Sequence, residues 1–182
     1  FSMYANADLP PRRVEPDGLA AAGKPFRQRF HQSNNDKAHP FDERQIDLMR
    51  RVYYGMITLV DDEIGRLMSF LEERGDVDDT LIVFTSDHGD YQGDHGLITK
   101  SPALYDCLVR VPFVMRYPER VPAGRRDDRF ASAVDVMPTL LAAAGVGVPD
   151  TVEGVDVLPL LASSRLDEAI RPCAFSEYGV PG

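Results

Sequence analysis

The stretch Thr85–Lys100, TSDHGDYQGDHGLITK, concentrates the residue types that do chemistry. Asp87 offers a hard anionic oxygen and His88 an imidazole nitrogen. Placed consecutively, they could hold one divalent cation. Lys100 offers a cation that could face an anionic substrate oxygen. Gly89, Gly93 and Gly96 free the backbone for tight turns and for close approach of a ligand. The same residues also have plainer uses. An Asp after a strand often caps the next turn, the pair Asp94-His95 can be a turn, and a lone lysine is usually a solvated one. Chemistry alone leaves both readings open. Two further readings fail: the acidic and glycine positions are out of register with a calcium-binding helix–loop–helix, and no Gly-Lys-Ser/Thr is present to cradle phosphate.

The elements around this loop must position it. Leu81-Ile82-Val83-Phe84 is a continuous apolar run, which predicts a central parallel strand covered on both faces. Ligands of open α/β sheets bind beyond the carboxyl ends of such strands, and the loop leaves at that end. Upstream, Ile46, Met49, Tyr53, Met56, Val60, Ile64, Leu67 and Leu71 recur at steps of three and four, one apolar stripe on a long helix. Asp42 and Gln45 form a capping-box pair at its start, Phe41 is placed to staple onto Ile46, and Gly75 ends it. Gly55 inside the helix favours a bend or close packing.

Downstream, SPALYDCLV predicts a helix capped by Ser101 with Pro102 at its first position. VPFVMRYP predicts a second strand. VDVMPTLLAAAG predicts a third helix with Asp135 at its cap, Pro138 in its first turn and Gly145 at its close. EGVDVLPLLASS is a short apolar segment, and RPCAFSEYG predicts another strand. Phe1–Pro40 has no sustained period and is rich in turn formers, a loop-rich arm or site-lining segment. The organisation expected is therefore residues 1–40 as this arm and residues 41–182 as an α/β domain with a mostly parallel central sheet flanked by helices.

The chain has 182 residues, of which 43% are apolar, enough to build a core for one domain or part of a larger one. Its formal net charge of −9 argues against nucleic acid or an anionic membrane as the main partner. A small anionic substrate needs only a local positive site. Cys107 and Cys173 are far apart and form neither a disulfide framework nor a zinc pattern. No apolar run has membrane-spanning length. The N-terminal residues have no signal-peptide pattern and read as a cut inside a longer chain. Two lone thiols fit the cytoplasm, and the periplasm stays open as an alternative.

SDHGDYQGDHGLITK resembles the second signature of the sulfatases, in the alkaline phosphatase superfamily. YYGMITLVDDEIGRLMSFLEERG is similar to the long helix before that signature, VRVPFVMRYP to the strand after it, and SAVDVMPTLLAAAGVGVP with EGVDVLPLL to the helix and turn that follow. The run is colinear from about Phe41 to Leu161. FSMY and LPP look like the family's loop before the helix. The resemblance implies an alkaline phosphatase-like fold, incomplete in this chain. It implies that Asp87 and His88 are ligands of a single divalent ion, usually calcium, with manganese or zinc also compatible with the imidazole. It implies that Lys100 contacts the sulfuryl group or the bridging oxygen, offsetting charge that develops there, and that His95 lies beside the site, as a substrate contact or as a structural turn residue.

The sequence departs from the family pattern at one point. Sulfatases carry a Cys/Ser-x-Pro-x-Arg motif whose first residue is oxidised to formylglycine, the hydrate of which attacks sulfur. No such motif occurs here, and the family's upstream metal-binding aspartates are also missing. The expected protein is thus the later part of a sulfuric ester hydrolase whose nucleophile lies in upstream sequence, this chain alone being inactive. The partner implied is a small-molecule sulfate ester. Two alternatives stay open: a phosphonate monoester hydrolase or phosphodiesterase of the same superfamily, and a non-catalytic metal-stabilised module.

Overall fold

The computed structural model describes residues 2–14, 41–162 and 172–178. Contacts divide the chain into two compact units. One comprises Phe1–Leu71, His88–Val111 and Tyr178–Gly182, the other Glu72–Asp87 and Pro112–Glu177.

A long helix, α1, spans Glu43–Arg74. Its start is fixed locally: the Asp42 N–H donates to Gln45 Oε1 at 2.9 Å and the Gln45 N–H donates to Asp42 Oδ1 at 2.8 Å. This reciprocal pair satisfies two donors that a helix start leaves orphaned. Its end is Gly75 at φ 75°, a left-handed backbone that glycine adopts without a Cβ clash. In the first unit the N-terminal residues pack on the polar side of α1. The Tyr4 hydroxyl is 2.8 Å from Thr58 Oγ1, and its ring lies 5.6 Å from that of Tyr54. Arg51 is held by the Asp47 carboxylate at 2.6 Å and donates to the carbonyls of Tyr4 and Ala7. Of the expected loop-rich arm, residues 2–14 form one 3-10 turn at Ser2–Tyr4 followed by irregular chain; residues 15–40 lie outside the described residues. Among the described residues the apolar stripe of α1 is fully buried only at Ile46, with Ile64 and Leu71 half-buried. Ile46 is buried, and Gly55 is the other buried residue of α1, whereas Met56, Val60 and Leu67 are exposed. No described helix is long and apolar enough to cross a membrane.

In the second unit, strand β1 (Ile82–Thr85) pairs with strand β2 (Phe113–Arg116), with Ile82 opposite Arg116 and Thr85 opposite Phe113. The pairing is antiparallel, and among the described residues the mostly parallel sheet expected around β1 is not seen. An apolar run reports that faces are to be covered; it does not encode the direction of the neighbouring strand. Nor is the covering complete among the described residues, since Phe84 is 41% and Val114 58% exposed. Arg116 anchors the strand pair to the preceding turn, donating to the Val77 carbonyl and to Asp78 Oδ1 at 2.7 Å.

Three further expectations resolve differently. The helix expected from Ser101 starts later, as α2 over Asp106–Val109, because Ser101 is engaged in a turn: its Oγ accepts the Ala103 N–H at 3.3 Å. Helix α3 (Val136–Ala143) forms where expected, with Pro138 in its first turn. Asp135, however, does not cap it forward. Fully buried, its carboxylate reaches back to the Ser132 N–H at 2.8 Å and across to the Val155 N–H at 2.9 Å. Gly145 closes α3 at φ 69° with paired bonds, Gly145 N–H to Ala142 and Val146 N–H to Leu141. The expected strand in RPCAFSEYG is irregular over residues 172–178.

A short helix, α4 (Leu158–Ala162), ends on two guanidinium groups. Arg125 donates to the Leu161 carbonyl at 2.9 Å and Arg129 to that of Leu160 at 2.7 Å, and Asp127 lies between both arginines, 3.1 and 2.6 Å away. The hydrogen bond from Arg129, with the charge of Arg125 behind it, holds the Asp127 carboxyl well below the usual carboxylate range, against an opposing effect of burial. A carboxylate lowered on folding stabilises fully above its unfolded value of about 3.9, and that contribution fades as pH falls from there toward the folded value. Asp127→Asn is expected to lower unfolding free energy by about 1–3 kcal/mol at neutral pH. The gap to the unsubstituted protein should narrow below pH of about 4. Urea unfolding of both proteins at neutral and at acid pH checks this.

Candidate functional site

The chain leaves β1 at Thr85 and returns at Phe113, and the excursion between carries the candidate residues. Asp87 stands two residues past β1 and is exposed, with the Ser86 hydroxyl 3.4 Å from its Oδ1. His88, joined to it by one peptide bond, belongs to the first unit.

From His88 on, the loop folds through a series of tight turns. Gln92, Gly93, His95, Gly96 and Thr99 all have positive φ. Glycine adopts this backbone freely, but Thr99 at φ 64° is β-branched and strained there, at a cost of about 1–3 kcal/mol. A buried cluster of Tyr91, Leu97, Ala103 and Leu108 holds the turns in place. Tyr91, 1% exposed, donates its N–H to the Thr99 carbonyl at 3.0 Å. Gly89 supplies the closest approach: its N–H donates to the Leu108 carbonyl at 2.7 Å, and a Cβ there would stand 2.0 Å from the Cys107 carbonyl oxygen.

These turns bring Lys100 to His88. Lys100 Nζ lies 2.8 Å from His88 Nε2, while His88 Nδ1 lies 2.7 Å from the Gly89 carbonyl. An ammonium group can only donate, so Nε2 is the acceptor and Nδ1 carries the proton to Gly89. A backbone carbonyl on one ring nitrogen is the arrangement that presents the other nitrogen to a cation. Here the cation on Nε2 is Lys100. The donor chemistry of Asp87 and His88, a hard oxygen and an oriented imidazole, fits a divalent ion. Among the described residues no group of three or more His, Cys, Asp and Glu gathers around one point.

His95 is placed differently. Its ring stacks on Tyr105, centroids 3.8 Å apart and planes 8° from parallel. Its backbone N–H donates to the Arg13 carbonyl at 2.7 Å, and the Arg13 N–H donates to Asp94 Oδ1 at 3.0 Å. The Asp94-His95 turn is thus the place where the N-terminal segment docks. That role needed tertiary contact and left no trace in the spacing. Burial pushes the Cys107 thiol up, with the charge of Asp94 adding to it, which suits an inert packing cysteine. Tyr91, Thr99 and Arg13 all shape the loop through tertiary contacts, and of the three only Tyr91 has a sequence signal, an aromatic inside a polar turn.

The sulfatase family model matches residues 20–146. The multifunctional alkaline phosphatase superfamily protein PehA of Trinickia caryophylli is 36% identical over 176 residues, 90% of this chain and 34% of that protein. The N-acetylglucosamine-6-O-sulfatase of Bacteroides thetaiotaomicron is 40% identical over 129 residues, 70% of this chain and 23% of that protein. Among solved structures, the phosphonate monoester hydrolase of Agrobacterium radiobacter superposes with a TM-score of 0.63 at 39% identity, over 69% of this chain and 25% of that one. The chain therefore spans about a third or less of each of these three proteins. These likenesses define the class, an alkaline phosphatase-like α/β fold of which a part is present. Within that class, the chain belongs to the sulfatase family.

Two glycine substitutions separate packing from conformation. Gly89→Ala must displace the Cys107–Leu108 backbone and should destabilise by about 1–3 kcal/mol. Gly65→Ala, in α1 with nothing within 4 Å of the added carbon, should instead stabilise by about 0.5–1 kcal/mol. Denaturant midpoints of the two variants should move in opposite directions.

Proposed function

We propose that this chain is part of a sulfuric ester hydrolase that uses one divalent cation and a formylglycine nucleophile contributed by other sequence of the protein. The observation that carries this reading is the contact of Lys100 with His88 at 2.8 Å, which puts a cationic side chain beside a proposed metal ligand. Asp87 and His88 are the residues of this chain that would hold the ion, most simply calcium. When bound, the ion would supply positive charge that polarises the ester group and orients the nucleophile.

Lys100 would offset negative charge developing on the transferring group. One imidazole nitrogen cannot serve an ion and an ammonium together, so ion binding at Nε2 and the Lys100 contact seen here exclude each other. Release from His88 would leave the Lys100 ammonium available to an anionic substrate. His95, fixed on Tyr105, would border the substrate and contribute mainly by keeping its turn in shape. The substrate would be a small sulfate ester, and the relative named as an N-acetylglucosamine-6-O-sulfatase supports a sulfated sugar as its kind.

A second reading has its own support. The phosphonate monoester hydrolase neighbour at 39% identity and the relative named as multifunctional favour a phosphonate or phosphate ester. Both ester types present anionic oxygens to the same cations, so Lys100 would serve either.

In the full-length enzyme Lys100→Ala should lower turnover by roughly 10²- to 10³-fold, the usual loss for one transition-state contact. Its thermal midpoint should stay close to wild type, because Lys100 is exposed. Assays on matched aryl sulfate and aryl phosphonate esters measure both this and the preferred ester; turnover near wild type at saturating substrate would remove Lys100 from the mechanism.

The metal is tested separately. Full-length protein purified without added metal should contain calcium, and His88→Ala and Asp87→Ala should each lower its retention after dialysis. A stoichiometric transition metal instead would shift the assignment toward manganese or zinc.

A further inference from the structure

Lys100 sits on exposed, irregular chain immediately after the strained Thr99, yet its ammonium is held at one ring nitrogen. A lysine has a long flexible stem, so its placement depends on how firmly the backbone beneath it is fixed. One residue fixes that backbone on both sides, through its backbone N–H on one and its side-chain hydroxyl on the other. The Tyr91 N–H donates to the Thr99 carbonyl, the residue before Lys100, at 3.0 Å. The Tyr91 hydroxyl is 3.1 Å from both the carbonyl oxygen and the Oγ of Ser101, the residue after Lys100, and donates to the Ala103 carbonyl. The bonds form a closed set: Tyr91 Oη–H donates to Ala103, Ser101 Oγ–H donates to Tyr91 Oη, and the Ala103 N–H donates to Ser101 Oγ.

We propose that Tyr91 is a positioning residue for Lys100, clamping the chain on either side of it through Thr99, Ser101 and Ala103. This rests on the catalytic reading of Lys100 given above. The clamp is rigid because the ring is buried against Leu97, Ala103 and Leu108, and it opposes the tendency of Thr99 to leave its left-handed backbone. The phenol is itself pushed up by burial, so it stays a neutral donor. Tyr91 never touches substrate; it sets where the ammonium can reach. Displacing a charge-stabilising group by a fraction of its reach weakens the transition state more than the ground state.

The test is a double-mutant cycle in the full-length enzyme, with Tyr91→Phe, Lys100→Ala and the double variant assayed on whichever aryl sulfate or aryl phosphonate ester the wild type turns over. Tyr91→Phe keeps the ring and removes only the hydroxyl. It should lower kcat by about tenfold with KM nearly unchanged, and have almost no further effect on kcat in the Lys100→Ala background. A purely structural role would instead give the same proportional loss in both backgrounds. That result, or wild-type kcat in Tyr91→Phe alongside a collapsed Lys100→Ala, overturns the positioning role and leaves the Lys100 reading standing. Unchanged kcat in Lys100→Ala overturns the Lys100 reading itself. Should Tyr91→Phe fail to fold, Ser101→Ala breaks the same clamp from the other side, and the same cycle with Lys100→Ala applies, with a smaller loss expected and the same non-additivity deciding.

Discussion

A loop of charged residues and turns has no hydrogen-bond ladder of its own, so something must hold it against the solvent that would otherwise dissolve its geometry. Here the burial of Tyr91 supplies the anchor. The ring joins Leu97, Ala103 and Leu108 in a small core, and its N–H and hydroxyl tie down the chain on both sides of Lys100. Apolar burial gives the loop its free energy, and the polar ends of the same residue give it direction. Without that combination, the positive φ angles at Gln92, His95 and Thr99 would relax, since none of these residues favours such a backbone by itself.

The surroundings then determine what the charged groups meet. The chain carries a formal charge of −9, yet Lys100 lies against an imidazole. The cation lies next to an oriented ring nitrogen, one residue from the Asp87 carboxylate, so complementary charges are gathered in a short stretch. Gly89 makes this compact, because only a residue without a Cβ lets its own backbone sit directly on the Cys107–Leu108 peptides. The same economy recurs in the second unit, where Gly154 approaches the Val134 carbonyl and buried Asp135 and Thr139 tie residues 155–157 to α3.

The long helix shows the other side of the balance. Its ends are fixed by local bonds, but Met56, Val60 and Leu67, on the stripe meant for packing, remain exposed, as do Phe84 on β1 and Val114 on β2. Exposed apolar area on this scale is unusual for a self-sufficient domain. It accords with a chain that spans 34% of one relative and 23% of another.

By itself the sequence determined whatever is encoded within a few residues. Asp42 with Gln45 marked the start of α1, Gly75 its end, Gly145 the end of α3, and two apolar runs the strands. It also carried the family likeness, because the order of Asp87, His88, His95 and Lys100 survives without knowledge of the fold. Tertiary structure decided the rest. It paired β1 with β2 antiparallel, turned Ser101 from a helix cap into part of the Tyr91 clamp, sent the Asp135 carboxylate backward to Ser132, and laid His95 on Tyr105. The reason is range. A cap or a left-handed glycine is stabilised by groups three or four positions away, so local composition suffices to reveal it. A strand's neighbour, a stacked ring or a clamped lysine is stabilised by groups brought together only when the chain has collapsed.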